Sequence, residues 1–148
     1  MADLWKCPKC GALLVTRNMW HACGPYTVEG FMKNKGPRAR ALFDEFVKLL
    51  ESCGPVIAAP AKTRVAFMVR VRFAGVHRVS ERTLVGGFGL PYPIDHNPRI
   101  RKIDFYPPSW YVHTIELHSL AEFDDELRGW LCESYHLMGE QKRLSRYR

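Results

Sequence analysis

Two short runs of cysteine and histidine carry the clearest chemistry in this chain. Cys7-Pro8-Lys9-Cys10-Gly11 sets two thiols three residues apart on a turn eased by glycine. His21-Ala22-Cys23-Gly24 adds an imidazole and a third thiol. Thiolate sulfur and imidazole nitrogen are ligands that zinc takes, and Cys7, Cys10, His21 and Cys23 make a closed tetrahedral set with no position left for substrate. The expected cofactor is therefore a structural Zn²⁺. The span Gly11 to Trp20 is long enough for a small hairpin that returns the second pair to the first. A unit this short cannot fold on a core of its own, so metal binding would supply its folding energy. A redox Cys-x-x-Cys expects a βαβ context, which is missing here. The spacing His21-x-Cys23 is tighter than usual, and a polar loop histidine is the alternative at that position. Trp5, Trp20 and Tyr26 flank the ligands. They are expected to dock the knuckle on its neighbour, with stacking on bases as the alternative.

A second group of residues could hold anions. Lys62, Arg64, Arg70 and Arg72 crowd one alternating segment, and Arg101 and Lys102 extend the basic run. Residues 62–102 carry nine basic and two acidic side chains, whereas 103–139 carry one and seven. A sheet face bearing arginines can track a phosphate backbone, and an ordinary solvated face is the competing reading. Tyr92, Tyr106, Trp110 and Tyr111 interleave with this region and are candidates for base stacking.

Catalytic patterns are weak. Asp104 and Glu116, with His118 just beyond, loosely echo a carboxylate pair holding magnesium in a nuclease, but the lysine expected two residues after the glutamate is replaced by His118. His77, His96, His113 and His136 form no recognisable ligand spacing. No Ser-His-Asp set, phosphate loop or dinucleotide-binding glycine pattern occurs. The acidic cluster Asp124-Asp125-Glu126 is expected at the start of a helix, where negative charge suits the dipole.

The elements that must position these residues read as follows. A helix starts near Pro37 and ends before Gly54-Pro55, with Leu42, Phe43, Phe46, Val47, Leu49, Leu50 and Cys53 on its apolar side. Cys53 therefore reads as a core residue rather than a nucleophile. From Thr63 to Phe73, Val65, Phe67, Val69, Val71 and Phe73 alternate with Arg64, Ala66, Met68, Arg70 and Arg72, as one long strand or two. Leu84–Leu90, Ile100–Tyr106 and Trp110–Leu117 follow as strands between glycine and proline turns. No helix-length segment separates them, so the sheet should be antiparallel. A second helix is expected to open at the capping box Ser119-Leu120-Ala121-Glu122 and to end at Gly139. The fold class is thus α+β: an antiparallel sheet packed by two main helices, preceded by a zinc knuckle. The knuckle is expected over 1–26, the main domain over 37–139 and a basic tail over 140–148.

Composition supports this organisation. The chain has 148 residues, 47% of them hydrophobic, and a formal charge of +7. That is enough chain for one domain with a real core and a small appendage. The longest stretch free of Asp, Glu, Lys and Arg is the twelve residues Thr83–Ile94, short of the ~20 that a membrane span needs. No apolar run suggests a signal peptide at the start, so a cytoplasmic location is expected. Five cysteines is an odd number, and Cys53 and Cys132 stand apart from the cluster, so a disulfide framework is not expected.

With these residues in place, a family resemblance can be stated. Leu4-Trp5-Lys6-Cys7-Pro8-Lys9-Cys10-Gly11 and Arg17-Asn18-Met19-Trp20-His21-Ala22-Cys23-Gly24 resemble the knuckle of a bacterial protein family. Lys62-Thr63-Arg64-Val65-Ala66-Phe67, Arg70-Val71-Arg72-Phe73-Ala74-Gly75-Val76 and Asp124-Asp125-Glu126-Leu127 resemble its main domain, the domain of unknown function number 5655. The resemblance implies a compact α+β domain, distantly similar to the frataxin-like YdhG-like proteins, and no particular activity. The acidic ridge of frataxin-type proteins has no match here, so iron handling is not implied. Relatives of the main domain accompany DNA-related modules, which points toward nucleic acid. The first expectation is a module that holds DNA or RNA through Lys62, Arg64, Arg70, Arg72, Arg101 and Lys102, helped by Lys6, Lys9 and Arg17. A protein-interaction or regulatory module comes second, a metal-dependent nuclease third, and a small-ligand pocket in the sheet is the remaining alternative.

Overall fold

The computed structural model describes residues 4–14, 17, 23–24, 26–94 and 96–141. The expected tail therefore falls almost wholly outside the described residues, as does His21. Two antiparallel sheets are present. The small one pairs β1 (Trp5–Lys6) with β2 (Leu13–Leu14). The large one has six strands in the order β3-β4-β5-β6-β8-β7. They are β3 (Ile57–Pro60), β4 (Val65–Met68), β5 (Arg72–Val79), β6 (Leu84–Leu90), β7 (Ile100–Tyr106) and β8 (Trp110–Leu117). Every pairing in it is antiparallel, and with the helices this makes the α+β class expected from sequence. The strand bounds 84–90, 100–106 and 110–117 coincide with the glycine and proline turns that delimit them in the sequence.

The segment 63–73 forms two strands, not one. Val69 and Val71 are both buried, so the alternation of apolar residues runs straight through the turn that separates β4 from β5. The turn moves Arg70 off the strand face. Its backbone N–H donates to the Gly139 carbonyl and its Nε–H to that of Gln141. Arg64, Arg70 and Arg72 therefore do not share one face, as their spacing had suggested.

Among the described residues three α-helices accompany the sheets: α1 (Val28–Met32), α2 (Pro37–Glu51) and α3 (Asp125–Ser134). The short α1, which had no sequence signal of its own, is capped by Thr27, whose hydroxyl accepts from the Gly30 N–H. α2 has proline in its first turn and glycine at the N-cap, so it lacks a local side-chain cap. A distant residue supplies it: Glu81, in the β5–β6 turn, accepts from the Ala39 N–H at 3.0 Å. A negative carboxylate at that end also suits the helix dipole. A Cβ at Gly36 would lie 2.5 Å from that carboxylate, so glycine makes the approach possible.

α3 starts later than the capping box predicts. Ser119 and Glu122 form the reciprocal box, but it closes only a 3-10 turn, Leu120–Glu122. Asp124 then takes over as cap, accepting from the Leu127 N–H at 3.0 Å. Leu120 is left exposed. The end of α3 continues into a wide turn, Tyr135–Gly139.

One face of the large sheet packs against α2 and α3. Phe46, Leu50, Phe67, Phe88, Leu84, Ile115, Leu117, Leu127 and Leu131 are nearly or wholly inaccessible there. Truncating a phenylalanine such as Phe46 in this layer costs about 3–5 kcal/mol, from lost transfer energy plus the cavity left behind. The two helices are also tied covalently. Cys53, just beyond α2, and Cys132 in α3 form a disulfide with Cα atoms 5.1 Å apart. This corrects the expectation that no disulfide would form. Cys53 does rest against the core, but the sequence separation of 79 between the partners hid the pairing. No helix among the described residues is long and apolar enough to cross a membrane.

Candidate functional site

The β1–β2 hairpin grips the first cysteine pair. Trp5 pairs with Leu14 and Lys6 with Leu13. Across the turn, the Cys7 N–H donates to the Ala12 carbonyl and the Gly11 N–H to that of Cys7, both at 2.8 Å. Gly11 has φ +80°, a left-handed backbone that glycine adopts without cost. The hairpin thus wraps Cys7 and Cys10 themselves; residues 15, 16 and 18–20 of the span in which a returning hairpin was expected lie outside the described residues.

Cys7, Cys10 and Cys23 come together, with all three sulfurs within 4.8 Å of one another. Cys7 Sγ and Cys23 Sγ are 3.8 Å apart. A tetrahedron with zinc–sulfur bonds of ~2.3 Å has sulfur–sulfur edges of about 3.8 Å, so this spacing suits a metal ion. The thiols titrate unequally. The Cys10 backbone N–H stabilises the Cys7 thiolate and lowers its pKa to about 6. The hydrogen bond of the Cys23 thiol to Cys10, then burial, and after these Cys7 and the neighbouring thiolate charges, push Cys23 up to about 11. A divalent cation offsets those charges. The three cysteines can hold a metal ion; the fourth ligand expected, His21, lies outside the described residues.

A cavity of about 450 Å³ lies between this hairpin and the sheet face turned away from α2 and α3. Its roof includes Cys10, Leu13, Gly24 and Tyr26. Its floor follows from strand register. Ala59 pairs with Ala66, Ala66 with Gly75, and Gly75 with Gly87. Four small residues therefore sit side by side across four strands, between rows of larger residues that point into the core. Two β-bulges set what surrounds them. One, at Phe67/Met68, brings Arg72 opposite Met68. The other, at Val76/Arg78, leaves His77 out of the ladder. A Cβ at Gly87 would be 3.3 Å from His77 Nε2, so the imidazole stands over the floor.

Arg64, Arg72 and His77 line this cavity. Among the described residues no carboxylate pairs with either arginine. Burial, and then the charge of Arg64, hold both the Arg72 guanidinium and the His77 imidazole below their ordinary pKa values. Among the described residues the site is electropositive and holds no internal counter-ion.

The other predicted anion contacts divide differently. Lys62 is exposed near Arg64 in sequence. Arg70 is held by the Gly139 and Gln141 carbonyls. Arg101 pairs with Glu116 at 2.7 Å and Lys102 with Asp104 at 3.5 Å, so both have partners on their own sheet. The aromatic candidates are also largely engaged. Trp110 is buried, Tyr111 packs on Phe105 at 4.9 Å and the Tyr92 hydroxyl donates to Glu133. Asp104 and Glu116 are not brought together. Asp104 pairs with Val112, four residues along β8 from Glu116, which is about 13 Å of strand.

The acidic cluster acts as expected at the α3 N-terminus and does more. Arg99 reaches Asp124 at 2.9 Å and Glu126 at 2.5 Å, and its guanidinium lies over Trp130 at 5.0 Å. Desolvation works against the Asp124 charge, but the Leu127 N–H and Arg99 outweigh it and lower the carboxyl pKa.

Sequence reasoning left room for a small-ligand pocket in the sheet but did not locate the cavity. Arg64 and Arg72 were visible as arginines, but the floor was not, because Ala66, Gly75 and Gly87 become neighbours only through pairing register. The glycine-rich run Gly86-Gly87-Phe88-Gly89 was the available signal, since glycines inside a strand often mark a close approach.

No curated protein and no solved structure matches the chain. The family model described as "Domain of unknown function (DUF5655)" matches residues 28–138, so the main domain with its sheet, both long helices and most of the cavity floor and wall belongs to the DUF5655 family.

Proposed function

We propose that this chain is a non-enzymatic binding module for phosphate-bearing polymers, DNA or RNA, stabilised by zinc on Cys7, Cys10, Cys23 and His21. The single observation that carries the reading is the convergence of Arg64 and Arg72 on a cavity in which no described residue offers them a carboxylate. Two guanidiniums crowding each other are stabilised by an anion, and arginine suits phosphate because its planar fork donates two parallel hydrogen bonds. Lys62 adds charge beside Arg64. Arg101 and Lys102 contribute less than the sequence suggested, since binding there must break ion pairs.

Fluorescence anisotropy with labelled single strands and duplexes, at 50 and 200 mM salt, tests this. Three neutralised phosphates on a single strand predict about twenty-fold weaker binding at the higher salt. Arg64→Glu with Arg72→Glu should abolish it. Binding that ignores salt, or survives the double substitution, refutes the reading.

A protein partner is the second reading, favoured by the sheet edge. β7 pairs on one side only and exposes Phe105 and Tyr106. Specific capture of one protein that persists after nuclease treatment and is lost in Phe105→Ser would favour it.

A further inference from the structure

We propose that the cavity is a subsite for a single nucleotide unit, with the base flat on Ala59, Ala66 and Gly75 and the phosphate on Arg72 and Arg64. The inference rests on the anion-binding reading and names what enters the site.

Size argues first. At about 450 Å³ the space falls among pockets that bury most of a small ligand, ~300–1,000 Å³, and cannot admit a double helix. Shape argues second. Ala59, Ala66 and Gly75 are register partners on three adjacent strands. With strands ~4.8 Å apart, they give a smooth patch about 10 Å across. No side chain larger than a methyl rises from it, so a planar ring system can lie directly on the backbone. Chemistry argues third. The floor is apolar, while Arg64, Arg72 and His77 stand at its wall. An inorganic anion alone would leave the floor uncovered, and an uncharged ring would leave both arginines unpaired. A ligand with a flat body and an anionic end satisfies both. His77 Nε2 stands over Gly87, in reach of a polar edge of the ring. The unit has two sources, a free nucleoside monophosphate or the phosphorylated end of a strand.

Calorimetric titration of the zinc-loaded full chain decides the matter. The probes are adenosine monophosphate, adenosine, inorganic phosphate and a 5′-phosphorylated oligothymidylate of twenty residues. The monophosphate should bind at least ten-fold more tightly than adenosine or phosphate. Ala66→Leu, which fills the space above the floor, and Arg64→Gln, at an exposed position, should each weaken it ten-fold or more. Melting curves identify a variant that fails to fold, and Arg64→Gln then carries the test alone. Equal affinity for phosphate and the monophosphate overturns the inference, as does a folded Ala66→Leu chain that binds as before. Binding of the oligonucleotide without the monophosphate overturns the single-unit site yet leaves the anion reading standing. Failure of every probe overturns both. If the monophosphate matches the oligonucleotide, the ligand is a free nucleotide; if the oligonucleotide binds more tightly, it is a strand end.

Discussion

The imidazole of His113 lies face to face on the phenyl ring of Phe88, with centroids 4.9 Å apart and planes 3° from parallel. The two residues are register partners on β8 and β6, so the sheet itself sets the stack. His113 Nε2 accepts from the Ile94 N–H at 2.9 Å, which places the ring proton on Nδ1. That atom is buried with no hydrogen-bond partner among the described residues. His113 is thus held neutral inside the core.

This arrangement makes the fold acid-sensitive. Burial lowers the His113 pKa below its ordinary 6.5, despite opposing help from the Phe88 and Tyr111 backbones. The unfolded chain therefore binds a proton near pH 6.5 that the folded chain refuses. Stability is fully present above that value and falls as pH drops below it, by at most about 1.4 kcal/mol per pH unit for one proton. His77 contributes in the same direction. Urea unfolding at pH 7.5 and pH 5.0 should show the loss, and His113→Phe should flatten it. A midpoint equal at both pH values would refute the assignment.

How much of this was legible in the sequence depends on whether the information was local. Glycine and proline bounds marked β6, β7 and β8, and Pro37 and Gly54 bracketed α2, because turns and helix ends are chosen by neighbouring residues. The β4–β5 turn was hidden because Val69 and Val71 are buried like strand residues. The Ser119 box was read correctly as a cap but assigned to too long a helix, because Asp124 is a second cap just downstream. The cysteine cluster was legible from spacing. The cavity was not: bulges at Phe67/Met68 and Val76/Arg78 shift which residues face it, and bulges depend on strand pairing.

The Cys53–Cys132 bond closes a long loop between the end of α2 and α3. The same junction is held by Arg128 Nε–H on Ser52 Oγ at 2.8 Å and by the Tyr135 hydroxyl on the Pro55 carbonyl at 2.7 Å. Cross-linking partners 79 residues apart restricts the unfolded chain by up to about 4–5 kcal/mol on a chain-entropy basis. A phosphine reductant should therefore lower the urea midpoint of the wild type. Cys53→Ala with Cys132→Ala should start at the reduced midpoint and ignore reductant. Thiol titration of the oxidised, denatured, metal-free chain should count three free thiols, from Cys7, Cys10 and Cys23. A count of five would sink the pairing.

Metal removal should act on the roof of the cavity and spare its floor. Cys10, Leu13, Gly24 and Tyr26 form that roof, and the hairpin carrying most of it has only two residue pairs of sheet. Such a unit has little buried surface of its own, so an ion on the three sulfurs is expected to hold its shape. The large sheet has its own core and does not depend on them. Elemental analysis should find one zinc per chain. A chelator should then collapse the amide dispersion of the hairpin residues, leave that of β3–β8 nearly unchanged and weaken oligonucleotide binding several-fold. Cys10→Ser should reproduce the chelated state without added chelator. Because ligation displaces thiol protons, and Cys23 holds its proton up to about pH 11 without metal, metal affinity should fall as pH is lowered. A hairpin that keeps its dispersion after complete metal loss would show that packing on the sheet, rather than the ion, holds the roof in place.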